Sequence, residues 1–187
     1  MKKIYVLTMA LCFSTISLLA QKKIPGLDKS PMDMSYCPAN YSFRQIDTTK
    51  TDPLVARLIY SRPQKNGRII FGGLVPYGKV WRLGANEATE IEFFQSVNIH
   101  GKTINKGRYT MYAIPDSLKW TIIINTNTDI WGAFSYDSSK DVVRMDLPVE
   151  KQATPVEALT MVFTRSVTGY DLQMIWDDEK VTLPIVD

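Results

Sequence analysis

The sequence predicts an all-β protein: an antiparallel β-sandwich of about nine short strands with one long ordered connection. Three observations carry this. Short runs of alternating apolar residues follow one another closely from residue 54 to the C-terminus, with turn residues between them. No stretch sustains a helical apolar period over three turns. Parallel pairing needs helical crossovers, which such a chain cannot supply, so neighbouring strands must run antiparallel.

The organisation follows in chain order. Lys2 and Lys3 precede a run from Ile4 to Ala20 that is apolar apart from scattered Ser and Thr. A basic start, an apolar middle and a small residue at the exit make residues 1–20 a secretory signal peptide, with cleavage expected near Ala20. The mature protein is then periplasmic or extracellular. No later segment has the roughly 20 apolar residues that a transmembrane helix needs. Loss of Lys2 and Lys3 from the 22 basic residues leaves near balance with the 19 acidic ones, so charge gives no support for nucleic-acid binding. Cys12 leaves with the signal, and Cys37 alone cannot form an internal disulfide. Residues 21–52, with Pro25, Gly26, Pro31 and Pro38, read as an N-terminal linker or tail. Residues 53–187 form a single sandwich domain, long enough to bury a core without staples.

Within that domain, Leu54 to Ser61 is the first strand, ended by Pro63. Ala88 to Phe94 is the next, with Thr89, Ile91 and Phe93 in phase and Glu90 and Glu92 directed to water. Val97 to His100 and Lys102 to Ile104 form a hairpin about His100-Gly101. Gly107 to Ile114 is a strand stopped by Pro115. Lys119 to Asn125 places Trp120, Ile122 and Ile124 on one face. Val142 to Leu147 and Leu159 to Phe163 follow. Tyr170 to Trp176 and Val181 to Val186 are expected to pair across a turn at Asp177-Asp178-Glu179.

Between the first two strands, within the stretch from Tyr60 to Glu92, lies the long connection. Asn66-Gly67, Pro76-Tyr77-Gly78 and Gly84-Ala85-Asn86 punctuate it as turns. Arg68 to Leu74 is apolar enough for one short helical turn, limited by Gly72-Gly73. Large apolar residues, glycines and paired charges make an unusual composition for a solvated loop.

The runs Gly67-Arg68-Ile69-Ile70-Phe71-Gly72-Gly73-Leu74-Val75-Pro76-Tyr77-Gly78-Lys79-Val80-Trp81-Arg82 and Gly84-Ala85-Asn86-Glu87-Ala88-Thr89 resemble the signature of a bacterial family. It is the family catalogued as domain of unknown function 2911, of Bacteroidetes type. Gly107 to Pro115 and Trp131-Gly132-Ala133-Phe134 are similar to it as well. The resemblance implies an exported bacterial protein with a β-rich domain and carries over no catalytic residue. At Leu83 a Thr or another polar residue would be expected.

Candidate chemistry is sparse. His100 is the sole histidine, which excludes a histidine-rich metal site and makes a serine triad improbable. Asn125, Asn127 and Asp129 resemble the start of a calcium loop, but the glycine and distal carboxylate are missing, so they read as a polar turn. No metal and no cofactor are expected. The candidate ligand-binding residues are Arg62, Arg68, Tyr77, Trp81, Arg82, Asn86, Glu87 and Trp131, gathered on the connection and beside it. Arginine offers forked donors to a carboxylate or to sugar oxygens, and aromatic faces stack on sugars or cations. Arg62, Arg82 and Glu87 are expected to form one cluster, because they share the one connection. Beside a purely structural role, in which the cluster is fully buried and has no opening, two functional readings stay open. One is a non-enzymatic sandwich that binds a small molecule, a saccharide or a protein partner. The other is a hydrolase, directed for example at glycans, with Glu87 as acid or base and Arg62 or Arg82 holding an oxyanion.

Overall fold

Two antiparallel sheets face each other. Their strands are β1 (Met32–Cys37), β2 (Ala56–Ser61), β3 (Glu90–Phe93), β4 (Val97–Ile99), β5 (Lys102–Ile104), β6 (Gly107–Pro115), β7 (Lys119–Asn125), β8 (Asp141–Pro148), β9 (Glu150–Arg165) and β10 (Gly169–Val186). The six-stranded sheet has the order β1-β2-β3-β6-β7-β8 and the four-stranded sheet the order β5-β4-β10-β9. The computed structural model describes residues 24–44, 46 and 52–186. The expected signal peptide and its cleavage point lie outside the described residues. Among the described residues no helix is long and apolar enough to cross a membrane. One short helix, Tyr41–Arg44, follows β1.

The core lies between the sheets, where the period-two pattern predicts it. Leu58, Tyr60, Ile91, Phe93, Met111, Trp120, Ile122 and Ile124 enter from the larger sheet. Leu159, Met161, Leu172, Met174, Val181 and Leu183 meet them from the smaller one. Each fully buried side chain of this size contributes about 1.5–3 kcal/mol. A smaller cluster of Ala88, Tyr112 and Ile123, with Val80, Ile114, Ile130, Ala133 and Tyr136, sits on the other side of the large sheet, since Tyr112 and Ile123 alternate with inward residues. Loops 76–88 and 130–136 therefore cover that outer face.

Several expected boundaries hold. β4 and β5 join through His100 and Gly101, both with positive φ (54° and 76°), the signature of a two-residue type I′ hairpin. Other expectations are corrected. Residues 32–37, read as part of a tail, form an edge strand paired with β2 from Met32↔Ser61 to Cys37↔Ala56. Met32 and Met34 point outward, while Asp33, Ser35 and Cys37 point in, so the strand's apolar pattern is inverted. Arg68 to Leu74 forms tight turns and no helix. Asp177-Asp178-Glu179 does not reverse the chain. β10 runs straight through it with register shifts at Ile175/Asp177 and Asp177/Glu179. The extra residues lie on β9, where 151–160 oppose 175–179, and the phase of alternation along β10 slips by one at the left-handed Asp177 (φ 53°). Glu90 and Glu92 are half-buried and ion-paired with Arg108 (2.6 Å) and Arg57 (2.5 Å) across the strands.

The free edge of β9 is closed by side chains from β1 and β2. Ser35 Oγ donates to the Met161 carbonyl (2.5 Å), Met161 N–H donates to Tyr60 Oη (3.0 Å), and Arg62 Nε donates to the Leu159 carbonyl (3.0 Å). These bonds satisfy backbone groups that an edge strand would otherwise leave open.

Candidate functional site

The connection from Arg62 to Thr89 is held at every stage by backbone bonds. Leaving β2, it pairs with β9: Leu159 N–H donates to the Pro63 carbonyl (3.0 Å), and Lys65 N–H to the Glu157 carbonyl (2.7 Å). A tight turn follows, with Val75 N–H bonded to the Ile70 carbonyl and Gly72 N–H to the Val75 carbonyl, both at 2.9 Å. Gly72 has φ 79°, and a Cβ there would lie 2.8 Å from Tyr77 Cε2, so glycine is required on both counts. The return leg then docks beside β6, because Trp81 and Ala113 exchange two backbone hydrogen bonds of 2.7 and 3.0 Å. Trp81 thus occupies the position beside β6 that β3 holds further along.

Strand alternation at this point decides where the side chains go. Trp81 and Leu83 turn into the main core, and Val80 and Arg82 turn outward. Trp81 stacks on Trp176 (5.9 Å between centroids, 21° between planes) and meets Trp120 and Phe71 edge-on at 5.8 and 6.2 Å. Its Nε1 donates to the Gly84 carbonyl at 3.1 Å. This aromatic plug closes one end of the sandwich. Below it lies Glu179, only 1% exposed, whose carboxylate accepts from Trp120 Nε1 (2.9 Å) and Lys151 Nζ (3.1 Å). Reading residues 177–179 as a hairpin turn missed Glu179. Its signal was present: Val181, Leu183 and Ile185 alternate inward, and two residues back from Val181 is Glu179.

Arg82 lines two adjoining clefts, of about 240 and 190 Å³, that share Leu74, Val75 and Trp81. Its Nε is buried and has no hydrogen-bond partner. Burial, with no acid beside it, pushes its pKa below that of a free arginine. The other described arginines each hold a partner, although Arg57 Nε is likewise buried without one. Arg44, Arg57, Arg62, Arg108 and Arg144 are ion-paired. Arg68 donates to the Lys65 and Gln64 carbonyls, and Arg165 lies over the Tyr170 ring. Lys79 and Phe134, which the sequence reading passed over, line the first cleft, and Arg68 lines the second.

The expected Arg62–Arg82–Glu87 cluster does not form. Arg62 bonds Asp33 (2.9 Å) and Thr160 Oγ1 (2.9 Å) and acts as a staple between β1, β2 and β9. Among the described residues Glu87 has no ion pair with either arginine. Leu83 and Asn86 adopt left-handed backbone (φ 55° and 58°), which redirects the chain between Arg82 and Glu87. That geometry is braced by Thr89, whose hydroxyl donates to the Leu83 carbonyl (2.7 Å) and whose N–H donates to the Arg82 carbonyl (3.0 Å). Glu87 is exposed and lies in a separate cleft with Met32, Ile59, Ala88, Glu90, Asp129 and Ile130. It forms a backbone bridge with Trp131, and the Asn86 carbonyl accepts from Gly132 N–H (2.9 Å). Trp131 is 60% exposed and reaches neither Arg82 cleft. Tyr77, half-exposed, lies over Gly72; burial first and then Glu179 push its phenol up. Trp81, expected to offer a stacking face, has spent its ring on the core.

Among the described residues no group of three or more His, Cys, Asp and Glu could hold a metal ion. No curated protein and no solved structure matches the chain. The family model described as "Protein of unknown function (DUF2911)" matches residues 43–185, a span that takes in the whole connection and every strand from β2 to β9, and the chain belongs to that family.

Proposed function

We propose that the protein is an exported, non-enzymatic β-sandwich that binds a small-molecule ligand at the basin around Arg82. Export rests on the basic-apolar-small pattern of residues 1–20. The observation that carries the binding site is the guanidinium itself. A buried N–H without an acceptor costs about 1–3 kcal/mol, more when the group is charged, and natural folds rarely leave one unless something else satisfies it. Here the unsatisfied donor borders two open clefts. A thermal-shift screen of the purified protein against a metabolite and glycan panel tests this. A ligand should stabilise the wild type and lose most of that effect on Arg82→Gln. A panel in which no stabilisation depends on Arg82 refutes the reading.

The hydrolase reading ranks second. One observation favours it: Glu87 shares a cleft with Glu90 and Asp129. Against it, general acid catalysis needs a carboxyl with a raised pKa. Asp129 is pushed the other way by its hydrogen bond from Arg108. Hydrolysis of a glycan panel that is abolished by Glu87→Gln would reverse this ranking.

A further inference from the structure

We infer that the ligand of the Arg82 basin is a small organic carboxylate carried on an apolar body, with its head on Arg82 and its body along Leu74 and Phe134. This rests on the reading of the basin as a ligand site and adds the chemistry of what fills it.

The charge comes first. Lys79 and Arg82 line the first cleft, Arg68 and Arg82 the second, and neither lining contains an Asp or Glu. Among the described residues Lys79 has no ion pair, whereas Arg68 has turned two of its donors onto its own turn. The usable cationic groups are therefore one guanidinium and one ammonium. A planar fork with a desolvated Nε matches the two oxygens of a carboxylate, and Lys79 adds a point charge at the rim.

The remaining lining is apolar. In the first cleft Leu74, Pro76, Val80, Ala133 and Phe134 surround the cations. Leu74 is 45% and Phe134 88% exposed, apolar surface left in water beside a charge with no partner. Saccharide recognition needs side chains that exchange hydrogen bonds with hydroxyls and a free aromatic face. Ser30 is the only hydroxyl of either lining, no Asn or Gln is present, and the Trp81 ring is packed in the core. The larger of the two clefts, about 240 Å³ and open to solvent, is of a size to seat a short chain or one ring.

The test is calorimetric titration of the purified protein with octanoate and 3-phenylpropanoate. Octanol and octylamine serve as the same body without the anion, and glucuronate as the same head on a polar body. Octanoate or phenylpropanoate should bind, and the other three should not. Arg82→Gln should weaken binding about tenfold or more, as loss of a charge-assisted bond predicts. Phe134→Ala should weaken it several-fold; that side chain is largely in water, so the variant folds even if Arg82→Gln does not. Glucuronate bound as tightly as octanoate, and dependent on Arg82, would overturn the apolar body and leave the site standing. Octanoate binding untouched by both variants, or no acid bound through Arg82, would overturn the inference, and the latter would take the site with it.

Discussion

Glu179 offers the sharpest test of how the candidate site is supported. Burying an ionised carboxylate costs several kcal/mol, which is recovered only if its oxygens find donors. Here Oε2 takes the indole N–H of Trp120 and Oε1 the ammonium of Lys151. The two contacts differ in kind. Trp120 is fully buried, so its N–H has no substitute partner, while the Lys151 side chain is 56% exposed and keeps Asp178 at 3.2 Å. Solvent therefore screens the ion pair, and the indole bond should dominate. Glu179→Gln keeps an acceptor for Trp120 and loses the charge, which should cost about 1–2 kcal/mol. Glu179→Leu orphans the indole N–H as well, for about 3–5 kcal/mol in total. At roughly 3–5 °C per kcal/mol for a domain of this size, Gln lowers Tm by about 3–10 °C and Leu by about 10–20 °C. Tryptophan fluorescence during thermal unfolding reads both. A double-mutant cycle with Lys151→Met should return a coupling below about 1 kcal/mol that shrinks in salt. A Leu variant as stable as the wild type would refute the argument, since buried carboxylates can be replaced at no cost only where no donor is orphaned.

Three further predictions follow from the geometry. Tyr136, which donates to Asp141 Oδ2 at 2.6 Å, is pushed up to about 12 by burial and then by Asp141. Its folded pKa exceeds the unfolded value of 10.0, so the stability it contributes is intact below pH 10 and is lost as pH rises toward 12. Denaturant titrations across that window should flatten in Tyr136→Phe, and an unchanged slope would refute the assignment. Asn86→Gly should alter stability by less than about 0.5 kcal/mol, because φ 58° suits both residues, whereas Asn86→Val should cost about 1–2 kcal/mol or more. Equal denaturation midpoints for the two variants would contradict the left-handed assignment. Arg62→Met removes the bonds to Asp33, Thr160 and the Leu159 carbonyl, so amide exchange should speed up across Met32–Cys37 while β7 keeps its protection. Uniform acceleration over both strands would mean that Arg62 holds the whole fold rather than one edge.

Where side-chain alternation meets a buried face, the sequence was legible. β7 reads directly, since Trp120, Ile122 and Ile124 share one face, and the His100-Gly101 hairpin follows from the freedom those two positions need. β1 was not legible, because Met32 and Met34 face solvent and the strand is held by polar contacts to β2 and β9 from far along the chain. Asp177-Asp178 carries turn chemistry but sits opposite a bulge, and local composition cannot separate the two when a long partner strand enforces extension. Of the candidate site residues, Arg82, Trp81 and Arg68 line adjoining clefts, whereas the cluster expected of Arg82 with Arg62 and Glu87 does not form. Proximity in sequence suggested grouping Arg82 with Glu87, but a bulky residue such as Leu83 gives no warning that its backbone is left-handed. Lys79 and Phe134 share a cleft only because two separate loops cover one sheet face.

Arg82 gains its usefulness from the residue before it. Trp81 is fixed by two backbone bonds to Ala113, an indole bond to Gly84 and ring contacts with Trp120 and Trp176. Strand alternation then leaves Arg82 one direction, outward, and Thr89 clamps the backbone just after it by donating to the Arg82 and Leu83 carbonyls. An arginine on a mobile loop would surrender about 2 kcal/mol of rotamer freedom on gripping a ligand. Here much of that ordering, at least of the stem nearest the backbone, is already complete when the sandwich folds. Loosening the plug should therefore weaken ligand binding before it unfolds the protein. Trp120→Phe, which takes the indole donor from Glu179 Oε2 without emptying the core and leaves Lys151 on Oε1, should lower affinity at the Arg82 basin while β6 and β7 stay protected from exchange.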